Sequence, residues 1–228
     1  MSLIQKFKGV YILLKKLKYW ILSLQFGTKS TAIMQTASTT FMDRHPDIFD
    51  FLKLQFGDQQ IRLLSFGCST GEECFSLRNY LPNAKITGVD INPNSILMAK
   101  KNSLVDGNME FVCLSPNALH QLGQFDVILA LSVLCKNPEA QELNDISSIY
   151  PFHRYNSIVT LLDSQLNKNG YLIIRSSNFR LKDSSVFSNY SVVNFEKRRD
   201  PKDFPKFDSN NKRLKNYLET EEFFRKES

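Results

Sequence analysis

The sequence predicts a three-layer α/β fold built on a mostly parallel sheet, with an antiparallel strand near its C-terminal end. Three observations carry that expectation. Short, continuously apolar runs recur along the chain, helix-like stretches separate them, and turn residues mark the joins. A strand that is apolar throughout needs cover on both faces, which intervening helices supply in a parallel sheet. The 228 residues, 42% hydrophobic and 23% charged, can bury one such core with appendages but hardly two. Disordered and fibrous classes are excluded on the same ground.

In chain order, the first element is a basic amphipathic arm. Leu3, Phe7, Val10, Leu14, Leu17, Ile21 and Leu24 fall at alternating steps of four and three, along one face of a helix. The longest uncharged stretch, Tyr19 to Thr28, is half the roughly 20 residues of a membrane span. Lys15 and Lys16 interrupt the apolar run, so it does not read as a secretory signal either. Two readings stay open: the helix packs on the body, or residues 3–24 lie on an anionic membrane or grip a partner. A Ser/Thr/Ala-rich linker follows, which sets the expected domains at 1–37 for arm and linker, 38–196 for the body, and 197–228 for a charged tail.

Within the body, strands are expected at Ile61–Phe66, Lys85–Asp90, Met109–Leu114, Phe125–Leu131 and Tyr171–Arg175, and helices from near Glu72, Pro93 and Tyr155. The run Tyr190–Phe195 follows the fifth strand without room for a usual crossover helix, and so is expected to return antiparallel. Beyond Glu196 the chain is charged and Asn-rich and reads as loose or partly helical.

Charge and cysteine usage narrow the function classes. The net charge of +6 comes wholly from six lysines within residues 1–42, where there is no acid, so the body is neutral and specific nucleic-acid binding is not expected. Cys68, Cys74, Cys113 and Cys135 form no C-x-x-C pair, and with three histidines no zinc spacing can be assembled. No metal is expected, and the default is a reduced, cytoplasmic protein.

Ligands on such sheets bind outside the carboxyl ends of the strands, where the strand order reverses. After the first strand comes Gly67-Cys68-Ser69-Thr70-Gly71, whose glycines allow a sharp turn and close backbone approach. No Gly-Lys-Ser/Thr follows, and Glu72-Glu73 at the helix start disfavours phosphate. Asp90, at the end of the second strand, can accept both hydroxyls of a ribose or cap the turn at Asn92-Pro93. Asn117-Ala118, after the third, can meet an adenine edge or cap a helix. Together these describe a nucleoside pocket with an acidic polar end, better suited to a cationic ligand than to NAD. His120 and His153 read as ordinary polar residues, and Tyr150–Tyr155 as packing or a pocket wall.

The segment Phe66-Gly67-Cys68-Ser69-Thr70-Gly71-Glu72-Glu73-Cys74-Phe75-Ser76-Leu77 resembles the first motif of the CheR-type methyltransferases, Ala-Gly-Cys-Ser-Thr-Gly-Glu-Glu-Pro-Tyr-Ser-Leu. Thr40 and Arg44 match that family's Thr-x-x-x-Arg, with Phe49 beyond; Phe125-Asp126-Val127-Ile128 and Ser177-Asn178-Phe179 match later motifs. The resemblance covers residues 38–195 and implies a Rossmann-like, class I, S-adenosylmethionine-dependent transferase. Carried over by position, it implies cofactor contacts at Ser38, Thr40, Arg44, Gly67, Cys68, Ser69, Gly71, Glu72 or Glu73, Asp90, Ile91, Asn117, Ala118, Leu131 and Ser132. Arg44 is the catalytic candidate, orienting a carboxylate acceptor, and its other reading is a surface arginine paired with Asp43 or Asp47. A carboxylate, with an ordinary pKa of about 4, is already ionised and needs no base.

The sequence departs from that family at three places. Leu131-Ser132-Val133-Leu134-Cys135-Lys136 replaces Arg-Asn-Val-Leu-Ile-Tyr, the spacing before Met109 leaves no room for a receptor-docking β-subdomain, and the N-terminal helical domain is reduced to the arm. The expected function is therefore transfer of a methyl group to an unidentified acceptor, a protein carboxylate or small acid. The alternatives are a catalytically inactive S-adenosylmethionine-binding regulatory module and a nicotinamide oxidoreductase.

Overall fold

The computed structural model describes residues 17, 40–102, 104–195, 204–215, 217 and 221–228. Two compact units divide the chain, Met1–Ile33 and Met34–Ser228, and everything from Thr40 onward belongs to the second. The amphipathic arm and Ser38 lie outside the described residues, apart from Leu17. Among the described residues, no helix is long and apolar enough to cross a membrane.

The sheet comprises β1 (Arg62–Phe66), β2 (Lys85–Asp90), β3 (Met109–Cys113), β4 (Phe125–Leu131), β5 (Leu166–Arg175), β6 (Tyr190–Val192) and β7 (Phe223–Lys226), in the spatial order β3-β2-β1-β4-β5-β7-β6. β1 to β5 are mutually parallel, and β7 is antiparallel to both its neighbours. Four α-helices are described: α1 (Pro46–Phe56), α2 (Glu72–Tyr80), α3 (Pro93–Lys101) and α4 (Phe152–Gln165). The predicted α/β architecture is thus present.

Side chains alternate across the sheet and sort into two cores. Leu63, Ile86, Phe111, Val127, Leu129 and Ile173 pack with α1, α2 and α3 through Phe49, Phe51, Phe75, Leu77 and Ile96. Leu64, Phe66, Val89, Ile128, Ala130, Leu172 and Ile174 face Tyr155, Val159 and Leu162 of α4 and the loops holding Phe179 and Phe207. Phe125 breaks the alternation by joining the second core, and the register shift between Phe125 and Val127 in the β4–β5 ladder accounts for it. Local chemistry sets the helix starts: Asn92 caps α3, its Oδ1 accepting the N–H groups of Asn94 and Ser95, with Pro93 in the first turn.

Three sequence expectations are corrected. The run from Tyr190 does not return antiparallel to β5: β7 inserts between them, and because it opposes both, β6 points the same way as β5. Two 3₁₀ turns, Leu181–Asp183 and Phe187–Asn189, bring the chain back where a crossover helix has no room. The segment read as a loose tail supplies β7, whose Phe223 and Phe224 are buried in opposite cores. Finally, β5 begins at Leu166 and not at Tyr171, its polar Asn167-Lys168-Asn169 start being exposed or half-buried. Helix α1 carried no expectation from the sequence.

Candidate active site

From β1 the chain moves outward to β2 and β3, and from β4 outward to β5 on the other side. The reversal lies between β1 and β4, so their carboxyl ends open a crevice. Phe66 ends β1, and the turn to α2 follows with Gly67 at φ +82°, Ser69 at +51° and Gly71 at +95°. At Gly67 a Cβ would also stand 2.4 Å from Val133 Cγ2, just past the end of β4. Glycine here lets the two strand ends close on each other.

Asp90 anchors the turn. Its Oδ2 accepts the Ser69 N–H at 3.0 Å and its Oδ1 the Asn92 N–H at 2.8 Å. Burial pushes its pKa up, against the lowering effect of these backbone hydrogen bonds. The Ile91 N–H also acts on this carboxylate, and a carboxylate's two oxygens offer about four acceptor sites, so capacity for a further hydroxyl remains.

Beside the turn, an open cleft of about 480 Å³ of free space, part of it open to solvent, is lined by Thr40, Phe41, Arg44, His45, Phe49, Gly67, Cys68, Ser69, Glu73 and Leu131. Glu73 accepts the Ser65 hydroxyl at 2.7 Å. Burial pushes its pKa up to about 7, opposed by the Ser65 hydrogen bond and by Arg44. Ser69 Oγ is buried with no hydrogen-bond partner among the described residues. Arg44 Nη2 donates to Ser132 Oγ at 3.5 Å, and its guanidinium lies 5.9 Å from the Phe41 ring centroid. The aspartates proposed as its partners have other engagements: Asp43 accepts Tyr80 OH at 2.8 Å, and Asp47 accepts from Arg175.

Arg175 ends β5 and is 1% exposed. Its Nη1 and Nη2 reach Asp47 Oδ1 and Oδ2 at 2.8 and 2.6 Å, while Nε and Nη2 reach Glu222 Oε1 and Oε2 at 2.9 and 2.6 Å. Nη1 also stands 3.4 Å from His45 Nδ1. Burial disfavours this cation, but its two carboxylate partners outweigh that and hold its pKa above the usual arginine value.

Of the residues expected from sequence, the structure gathers Thr40, Arg44, Gly67, Cys68, Ser69 and Leu131 on the cleft wall. Gly71 closes the turn, its N–H donating to Cys68 O at 3.0 Å, and Ser132 meets Arg44. Glu72 does not line the cleft: its carboxylate accepts the Thr70 hydroxyl, and Glu73 takes the inward place. Asp90, Gly71, Ser132, Ile91, Asn117 and Ala118 also lie outside the lining; Asp90 is joined to it through the Ser69 N–H, Ile91 O faces Cys113 Sγ, and Asn117 O faces His120 Nδ1 at 3.0 Å. Sequence reasoning missed Phe41, His45 and the Asp47–Arg175–Glu222 cluster. Among the described residues, no group of three or more His, Cys, Asp or Glu could hold a metal ion.

Comparison with known proteins bears on this geometry. A family model described as a methyltransferase domain matches residues 58–221. A curated malonyl-[acyl-carrier protein] O-methyltransferase from Bacillus anthracis is 26% identical over 175 residues, 76% of this chain. The match spans only 62% of that relative's length. Among solved structures, the plantazolicin methyltransferase BpumL, in complex with SAH, aligns over 56% of this chain and 43% of its own at 19% identity, with a TM-score of 0.42. The magnesium protoporphyrin IX methyltransferase of Synechocystis, also with SAH bound, aligns over 57% and 52% at 20% identity, with a TM-score of 0.44. Because the family model covers well over half of the sequence, this chain belongs to the methyltransferase-domain family.

Proposed function

We propose that the cleft at the β1–β4 crevice binds S-adenosylmethionine and that the chain transfers its methyl group to an oxygen acceptor, a carboxylate. One observation carries the reading: the glycine turn is tied by Ser69 N–H to Asp90, and beside it open a buried acid, Glu73, and the unpartnered Ser69 Oγ. These residues fit a cationic nucleoside. Asp90 would hold the ribose hydroxyls, Gly67 and Gly71 would admit the ligand's close approach, and Glu73 with Ser69 Oγ would meet its polar, positively charged end.

When bound, S-adenosylmethionine supplies an electrophilic methyl group on a sulfonium. The chain's part is orientation, for which general estimates reach about 7–11 kcal/mol. Arg44, which lines the cleft together with Leu131, would hold an anionic acceptor. An ionised carboxylate gives up no proton on methylation, so the transfer needs no general base. The curated relative, named as an O-methyltransferase, supports an oxygen acceptor.

Calorimetric titration with S-adenosylmethionine, followed by transfer of labelled methyl to carboxylate acceptors, tests the proposal. Binding with transfer is expected; absence of binding overturns it. A second reading, a binding module without transfer, is favoured by one observation: of Leu131–Lys136, only Leu131 lines the cleft. Binding with no S-adenosylhomocysteine formed from any carboxylate acceptor would select that reading.

A further inference from the structure

Half of the cleft wall, Thr40, Phe41, Arg44, His45 and Phe49, comes from α1 and the residues leading into it. That segment is fastened to the end of the parallel sheet by one buried side chain. Arg175, the last residue of β5, grips Asp47 in the first turn of α1 with two hydrogen bonds and Glu222, just ahead of β7, with two more. All three are under a tenth exposed. A guanidinium's rigid, planar fork can serve two carboxylates at once, which lysine's point charge cannot reproduce.

The geometry points to Arg175 as a positioning residue for the cleft: through Asp47 it sets where Arg44 and His45 stand against the glycine turn, and through Glu222 it makes that placement depend on the docking of β7. This rests on reading the cleft as the S-adenosylmethionine site. Other links tie the same segment to α2, Asp43 N–H to Ser76 Oγ and Tyr80 OH to Asp43 Oδ1, both at 2.8 Å. They hold it to a neighbouring helix, whereas Arg175 and the longer Arg44–Ser132 hydrogen bond tie it to strand ends, and of these two Arg175 makes the short, buried, two-pronged contact.

Arg175→Lys, which keeps the charge and loses the fork, is the test, with S-adenosylmethionine affinity and amide hydrogen exchange measured well below the variant's unfolding midpoint. The expected result is a Kd raised at least tenfold, with faster exchange confined to residues 40–56 while β1 and β4 stay protected. An unchanged Kd overturns the proposal. So does a loss of binding that only tracks a sheet-wide rise in exchange, the signature of a merely structural role. If the unaltered protein fails to bind S-adenosylmethionine, the reading of the cleft has failed, and the exchange pattern alone decides for or against positioning. Should Arg175→Lys not fold, Asp47→Asn, which leaves the Arg175–Glu222 pair in place, is judged by the same two measurements.

Discussion

Glu73 Oε1 accepts the hydroxyl of Ser65 at 2.7 Å, joining the first turn of α2 to the middle of β1. Burial pushes the carboxyl's pKa from its model-compound value of 4.5 up to about 7. For an acid the folded state then favours the protonated form. Its stabilising effect is full below the unfolded pKa and is lost as pH rises through about 7. At about 1.36 kcal/mol per pKa unit, the loss amounts to at most about 3 kcal/mol. Thermal melts at pH 5 and pH 8 should therefore show Glu73→Gln gaining on the unaltered protein at the higher pH; parallel melting points would refute this.

The same titration touches ligand binding. A cationic ligand favours ionised Glu73, as Arg44 already does, so S-adenosylmethionine should bind with release of a proton and with affinity rising from pH 6 to pH 8. Calorimetry in two buffers of different ionisation enthalpy measures the proton directly. Glu73→Gln should release none.

Asp90→Ala removes the acceptor for the backbone N–H groups of Ser69, Asn92 and Ile91 and, under the proposed function, for the ribose. Affinity for S-adenosylmethionine should fall by about 1.5–3 kcal/mol, the scale of a charged hydrogen-bonding partner. Titration of the variant showing wild-type affinity would mean that the nucleoside sits elsewhere.

Gly67→Ala places a Cβ 2.4 Å from Val133 Cγ2 at a residue with φ +82°. Overpacking typically costs about 1–3 kcal/mol, and the left-handed backbone adds to it. Adding Val133→Ala should recover the steric share and not the backbone share. Chemical denaturation of the single and double variants separates the two.

Phe223 lies 4.6 Å, centroid to centroid, from Phe51 of α1 and 5.9 Å from Phe195. Phe223→Ala should destabilise the fold by about 3–5 kcal/mol, as for other buried aromatic truncations, in a urea melt. A change below about 1 kcal/mol would mean that β7 contributes little to the core.

The parallel half of the fold was legible because it is written locally. Continuous apolar runs such as Phe125–Leu131 and the glycine turn after Phe66 need no partner to be recognised. The antiparallel edge was not, because Phe223-Phe224-Arg225-Lys226 sits in a charged context and its meaning comes from the strands on either side. In the site, adjacent Glu72 and Glu73 look alike in sequence; only the helical turn shows that one meets Thr70 and the other Ser65. The Arg175 cluster joins residues 128 and 47 positions apart, beyond any local pattern. The turn motif suggested CheR-type enzymes, while the family model places the chain in the broader methyltransferase-domain family.

The insertion of β7 between β5 and β6 also shapes how the protein is made. On the ribosome, residues 190–192 emerge before the strand they pair with, and the flank of β5 stays bare until residues 223–226 have cleared the exit tunnel. Closure of this sheet therefore waits on the last of its strands to be made, and in that interval the nascent chain is most exposed to chaperones and to self-association.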